Sequence, residues 1–161
     1  MISIMMGSDS DLPIMKETAK MLKSFGIKYE IKILSAHRTP EAVRKYVKNS
    51  EQKGFKLFIA GAGGAAHLPG VIASFTTLPV IGIPLGSELK GMDSLFSIVQ
   101  MPKGVPVATM AIGKAGAINA AILAAEILAI SDKKIKNRLH DFRRRMTKDV
   151  LKKSIRGSRR L

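Results

Sequence analysis

Cysteine is absent from all 161 residues, which excludes disulfides and thiolate-held metals. Long hydrophobic runs are absent as well. The most apolar stretch, residues 115–130, is too short and too rich in alanine for a convincing membrane span. The opening residues MISIMM carry no basic flank and soon meet Gly7 and Asp9, a pattern of neither a signal peptide nor a span. A soluble, cytoplasmic protein is therefore expected. No G-x-x-x-x-G-K-[ST] loop is present to support ATP use, and no G-x-S-x-G motif to supply a serine nucleophile. Histidine is scarce: His37, His67 and His140 lie far apart in the sequence. That spacing offers no ligand set, so neither metal nor cofactor is expected.

Acidic residues are few, 12 against 27 lysines and arginines, for a formal net charge of +15. Such a balance suggests a nucleic-acid partner until it is located. Residues 133–161 hold 13 basic residues against Asp141 and Asp149, a local net of +11. Residues 1–132 hold the other 14 against ten acids, a net of +4. Binding of single strands would call for aromatic side chains among the charges, for stacking. Phe142 is the only one in that segment. A solvated helix face and tail is the simpler reading.

Apolar residues make up 46% of the chain, enough for a substantial core. The length fits one domain that buries roughly 70% of its unfolded surface. Short apolar runs alternate with helical patterns. Residues 2–6 are expected as a first strand. A helix over 13–24 follows, with Leu12, Met15, Ala19 and Leu22 on one face and Gly26 as its stop. Residues 29–34 alternate as a strand. Thr39 and Pro40 then open a helix toward Gly54, with threonine as N-cap and proline in the first turn. Further strands are expected at 55–60, 80–83 and 107–112, and helices from near Leu68, over 93–100 and over 115–130. Alternation of this kind implies parallel strands, right-handed crossovers and a three-layer α/β sandwich of about five strands. Residues 1–131 would form the core of a single domain, and 132–161 a basic C-terminal helix and tail. The helix over 115–130 has only Asn119 and Glu126 as polar residues. A helix apolar nearly all round needs cover on more than one side, which points to a second subunit.

Ligands of open parallel sheets bind beyond the carboxyl ends of the strands. Three loops of unusual composition fall there. Residues 7–11 (GSDSD) lead from a strand into a helix, where backbone N–H groups and the dipole favour an anion. Asp11 suits ribose hydroxyls, although Ser8, Ser10 and Asp11 also suit simple helix capping. Residues 35–40 (SAHRTP) set His37, a group able to exchange a proton near neutrality, beside Arg38, a fork for phosphate or carboxylate. Residues 61–67 (GAGGAAH) match part of a dinucleotide fingerprint through Gly61, Gly63 and Ala66. That loop follows the third strand, however, and no acid ends the next strand to hold a ribose. Its small residues are better read as a wall that lets substrate lie against backbone. His67 at its end is either a polar contact or a packing element, and His140 a surface residue.

These loops resemble those of the N5-carboxyaminoimidazole ribonucleotide mutase family. The likeness is carried by Met6, Gly7 and Ser8 with Ser10 and Asp11, by SAHRTP, and by AGAGGAAHLPG over 60–70. It continues with Asp93, Ser94 and Leu95, SIVQMP over 97–102 and AIGKAGA over 111–117. The resemblance implies a flavodoxin-like sheet and a homo-octamer whose neighbours exchange C-terminal helices. It implies a small phosphoribosyl substrate, with His37 as catalytic acid–base. Ser8, Ser10, Asp11, Ser35 and Arg38 would bind that substrate, and Gly63, Gly64 and His67 would line the pocket for the migrating carboxylate. One departure stands out: residues 84–91 (PLGSELKG) are one residue shorter than the usual family loop, with Gly86 where glutamine is expected. Runner-up readings are an aminoimidazole ribonucleotide carboxylase using free carbon dioxide, and a non-catalytic basic nucleotide or nucleic-acid binding module.

Overall fold

The computed structural model describes the backbone of residues 1–158 and the side chains through residue 153. Residues 159–161, the end of the expected basic tail, lie outside the described residues. Five strands, β1 (Ile2–Met6), β2 (Tyr29–Ile33), β3 (Leu57–Ala62), β4 (Val80–Pro84) and β5 (Ala108–Thr109), form one parallel sheet in the order β2-β1-β3-β4-β5. With α1 (Leu12–Ser24), α2 (Pro40–Gln52), α3 (Leu68–Phe75), α4 (Met92–Val99), α5 (Lys114–Ala129) and α6 (Lys133–Ser158), this is a flavodoxin-like α/β fold. Among the described residues no helix is long and apolar enough to cross a membrane.

Period-two alternation divides the strands between two cores. Ile2, Ile4 and Met6 of β1 face α1, α5 and the start of α6, where Met15, Leu22, Ala117, Ala121 and Leu139 are buried. Met5 joins Phe58, Val43, Val47, Ile72 and Ile98 under α2, α3 and α4. Central strands covered on both faces are apolar almost throughout, and every residue of β1, β3 and β4 is buried, the polar Ser3 of β1 with its hydroxyl bonded to the Tyr46 hydroxyl.

The apolar helix is covered in part within the chain. α5 buries Gly116, Ala117, Ala120, Ala121, Ala124 and Ala125 in the core shared with α1 and α6. The alanines let backbones approach closely. α6 is anchored by Ile135, Leu139 and Phe142, spaced as one helical stripe, with Phe142 edge-on to Phe25 at 5.5 Å. The Arg138 guanidinium also donates to the Phe25 carbonyl at 2.5 Å. Beyond Phe142 the helix is exposed through residue 153, including Met146 and Leu151.

Two strands differ from expectation for a physical reason. β3 begins at Leu57 and runs on through Gly61 and Ala62, because β4 offers partners as far as Ile83 and Pro84. The fifth strand shrinks to Ala108 and Thr109. The Met110 N–H still donates to Gly82 O, but the next bond to β4 comes from Gly113 N–H to Pro84 O. Three residues advance on one side against two on the other, a bulge that ends the ladder.

Candidate functional site

With strand order β2-β1-β3-β4-β5, the chain leaves β1 toward β2 and returns past it to β3, so a crevice opens above the carboxyl ends of β1 and β3. A cleft of about 570 Å³ lies there, within the size range of small-molecule sites. Ser8, Ser10, Asp11, Ser35, His37, Arg38, Gly63, Gly64 and His67 all line it.

The first loop caps a helix start and also borders the cleft. A short 3-10 turn, Asp9–Asp11, precedes α1 and is closed by a capping box. The Ser10 N–H donates to the Ser8 hydroxyl at 3.3 Å, and the Ser8 N–H donates to the Asp11 carboxylate at 3.2 Å. The same residues border the cleft. Burial pushes the Asp11 carboxyl above the ordinary aspartate range, and it outweighs the opposing N–H bonds and the nearby Arg38 charge.

The second loop is stapled across its base. Thr39, expected to cap α2, makes no side-chain cap there. Its hydroxyl instead accepts the Ser35 N–H at 2.9 Å and donates to the Ser35 carbonyl at 3.0 Å. The Ser35 hydroxyl in turn accepts the Arg38 N–H at 3.2 Å. Arg38 spends one guanidinium N–H on the Gly7 carbonyl at 2.6 Å, which ties the second loop to the first. The remaining N–H groups of the fork are available to an anion.

The third loop turns at Gly64, whose φ of +63° few side chains tolerate. Gly63 lies against the 84–91 loop so closely that a Cβ there would meet the Gly86 carbonyl at 3.2 Å. His67 then points at His37, with His37 Nε2 2.7 Å from His67 Nδ1 and the rings edge-to-face at 81°. One proton lies between the two nitrogens, so one ring donates and the other accepts. No local spacing announces this pair, since the histidines stand 30 residues apart, although the family resemblance sets both in one pocket. Their meeting follows from β2 and β3 flanking β1 on its two sides.

Leu68, Gly86, Ser87, Glu88 and Asp93 also line the wall. Leu68 and Asp93 lie in stretches that carry the family resemblance and Gly86 marks the departure from it, whereas Ser87 and Glu88 have no sequence signal beyond the unusual 84–91 segment. Asp93 accepts the Ser87 hydroxyl, which holds its carboxyl below the ordinary aspartate range. His140 lies away from this cleft, on α6, in a shallow depression with Glu126 and Arg143. Among the described residues, no three His, Asp or Glu side chains converge to hold a metal ion.

A family model described as AIR carboxylase matches residues 1–149. An N5-carboxyaminoimidazole ribonucleotide mutase of Thermotoga maritima is 58% identical over 156 residues, spanning 96% of this chain and 90% of the relative. The protein of that name from Pyrococcus horikoshii is 56% identical over 157 residues, spanning 97% and 88%. The crystal structure of Treponema denticola PurE superposes with a TM-score of 0.88 at 32% identity, covering 96% of each chain.

Proposed function

The chain belongs to the AIR carboxylase family, and from that premise we infer that it is an N5-carboxyaminoimidazole ribonucleotide mutase of purine biosynthesis, an isomerase. Relatives that are 58% and 56% identical carry the mutase name, which favours this activity over direct carboxylation with free carbon dioxide. The observation that carries the mechanism is the placement of His37 and Arg38, from one stapled loop, in the cleft where all three loops meet.

The substrate carries its carboxylate as a carbamate on an exocyclic nitrogen. Arg38 holds the phosphate beside Ser8 and Ser10, Asp11 accepts the ribose hydroxyls, and Ser35 keeps the Arg38 backbone in place. With the ring held against Gly63 and Gly64, His37 delivers a proton to the departing nitrogen as the N–CO₂ bond breaks. C4 of the ring then attacks the carbon dioxide. Recapture within the cleft replaces an unfavourable encounter in water, and exclusion of water guards the intermediate. The hydrogen left on C4 returns to His37, so protons balance and no cofactor is consumed. His67, bonded to His37, keeps the ring in one orientation.

The remaining assignments belong to the same reading. Residues 1–131 and α6 form one domain, since Ile135 and Leu139 share the core with β1. The enzyme works in the cytoplasm as a homo-oligomer, an octamer by resemblance. Exposed Leu89, Met92, Phe96 and Val99 around α4 and exposed Ile130 after α5 are suited to subunit contacts.

The test is turnover followed by absorbance, without ATP or metal. Product from the N5-carboxy substrate is the expected result. Product only from aminoimidazole ribonucleotide with bicarbonate would make the enzyme a carboxylase. Silence with both would leave a binding module.

Asp11 supplies a pH-dependent consequence. Only the ionised carboxylate accepts ribose hydroxyls without offering a proton, and its folded-state pKa is raised. Its contribution to binding is therefore present at neutral pH. It is lost as the pH falls, beginning above the ordinary aspartate pKa of about 3.9. Calorimetry with the 4-carboxy product should show Asp11→Asn binding about tenfold weaker than wild type at pH 7.5, the loss of one charge-assisted bond. The gap should close as the pH is lowered. A gap constant with pH would remove the ionised Asp11 from the site.

A further inference from the structure

The fourth wall of the cleft is the segment between β4 and α4, and its hydrogen bonds form a closed set. Leu85 N–H donates to Ala62 O at 2.9 Å, which stitches its start to β3. The Gly86 carbonyl then rests against Gly63. At the other end the Ser87 hydroxyl donates to Asp93 Oδ1, and Ser87 Oγ accepts the Gly91 N–H at 2.9 Å. Asp93 Oδ1 also takes the Ser94 N–H at 2.9 Å. Between these anchors Lys90 adopts φ +56°, a left-handed conformation that costs a non-glycine residue free energy and persists where surrounding bonds impose it.

A hydroxyl has one proton to give. That of Ser87 is committed to Asp93, so Ser87 lines the cleft without a donor for substrate. Its contribution is to fix the backbone on either side. We propose that Ser87 and Asp93 are positioning residues for the carboxylate transfer: their hydrogen bond holds the 85–91 wall against Gly63 and keeps released carbon dioxide in the cleft until C4 recaptures it. The inference rests on the mutase reading. It also accounts for how a loop one residue short still closes the site, since the latch ties Asp93 to a residue only six positions earlier.

The experiment follows the fate of the carboxylate. Substrate labelled with ¹³C in its carboxylate is turned over in unlabelled bicarbonate with carbonic anhydrase, and the label in the product is read by mass spectrometry. Wild type is expected to keep nearly all of it. Ser87→Ala and Asp93→Ala are expected to lose about half of the label to solvent, release aminoimidazole ribonucleotide, and fall about tenfold in kcat, as a wall displaced by a fraction of an ångström allows. Ser87→Thr, which keeps the hydroxyl, should restore retention. A variant that had only lost folded protein would make less product with the same label fraction, so retention separates positioning from stability. Full retention in both alanine variants would overturn the proposal. Failure of wild type to form product would instead overturn the mutase reading itself.

Discussion

Replacing His37 with asparagine is expected to lower kcat about a thousandfold, the middle of the range for removal of a general acid–base, while KM and melting temperature stay close to wild type. Asparagine keeps a hydrogen-bonding side chain of similar reach, but its amide neither gives nor takes a proton in this chemistry. His37 is an exposed loop residue. The loop holds its shape through Ser35, Thr39 and the Arg38–Gly7 bond, none of which involves the imidazole. Exposed substitutions of that kind usually change stability by no more than about 0.5 kcal/mol. The split is diagnostic. A fall in kcat at constant KM and constant melting temperature marks an interaction made in the transition state. A rise in KM alone would make His37 a binding group and shift the proton transfer elsewhere in the cleft, with His67, 2.7 Å away, the first candidate. Turnover near the wild-type rate would remove the acid–base role.

The site was legible in the sequence to the extent that its chemistry is local. Each of the three loops follows a strand, and a glycine, serine or histidine at a strand's carboxyl end is visible in one dimension. What lies between loops was not visible. The His37–His67 contact depends on β2 and β3 both pairing with β1, and no spacing encodes that. Thr39 shows the opposite failure. Threonine before proline has the local form of an N-cap, yet the backbone at φ −139° and ψ +50° leaves its hydroxyl to staple Ser35 instead. The fold shows the same division. β1 and the apolar face of α1 follow from periodicity, whereas the extent of β3 and the brevity of β5 are set by their neighbours. The nearly all-apolar α5 calls for cover on more than one side, and within the chain α1, the sheet and α6 supply part of it. The high charge of α6 hides its Ile135, Leu139 and Phe142 stripe from a reading of the sequence.

Gly116→Ala is expected to destabilise the fold and to disturb the cleft from a distance. Gly116 lies in the first turn of α5, where Ala111 folds back over it. A Cβ at this position would sit 1.7 Å from the Ala111 carbonyl oxygen and 2.7 Å from its carbon. The obstacle is backbone, so no rotamer change relieves it. Alanine's intrinsic helix advantage over glycine, about 1 kcal/mol, offsets only part of an overpacking cost of about 3 kcal/mol. A net loss of about 2 kcal/mol corresponds to a melting temperature lower by roughly 6 °C for a chain of this size. The strain also has a defined route outward. The bulge that Ala111 begins is tied to β4 by Gly113 N–H to Pro84 O at 2.8 Å, and Ile112 packs against Gly91 at the end of the 84–91 wall. Displacing Ala111 therefore loosens the wall that faces Gly63, and kcat should fall with stability. Gly86→Ala gives the contrast. A Cβ there meets nothing within 4 Å, and φ is not positive, so stability should hold or rise by about 0.5 kcal/mol through the unfolded state. If calorimetry places the two variants at the same melting temperature, the Ala111 turn gives way freely, and the coupling from α5 through the bulge to the cleft wall does not exist.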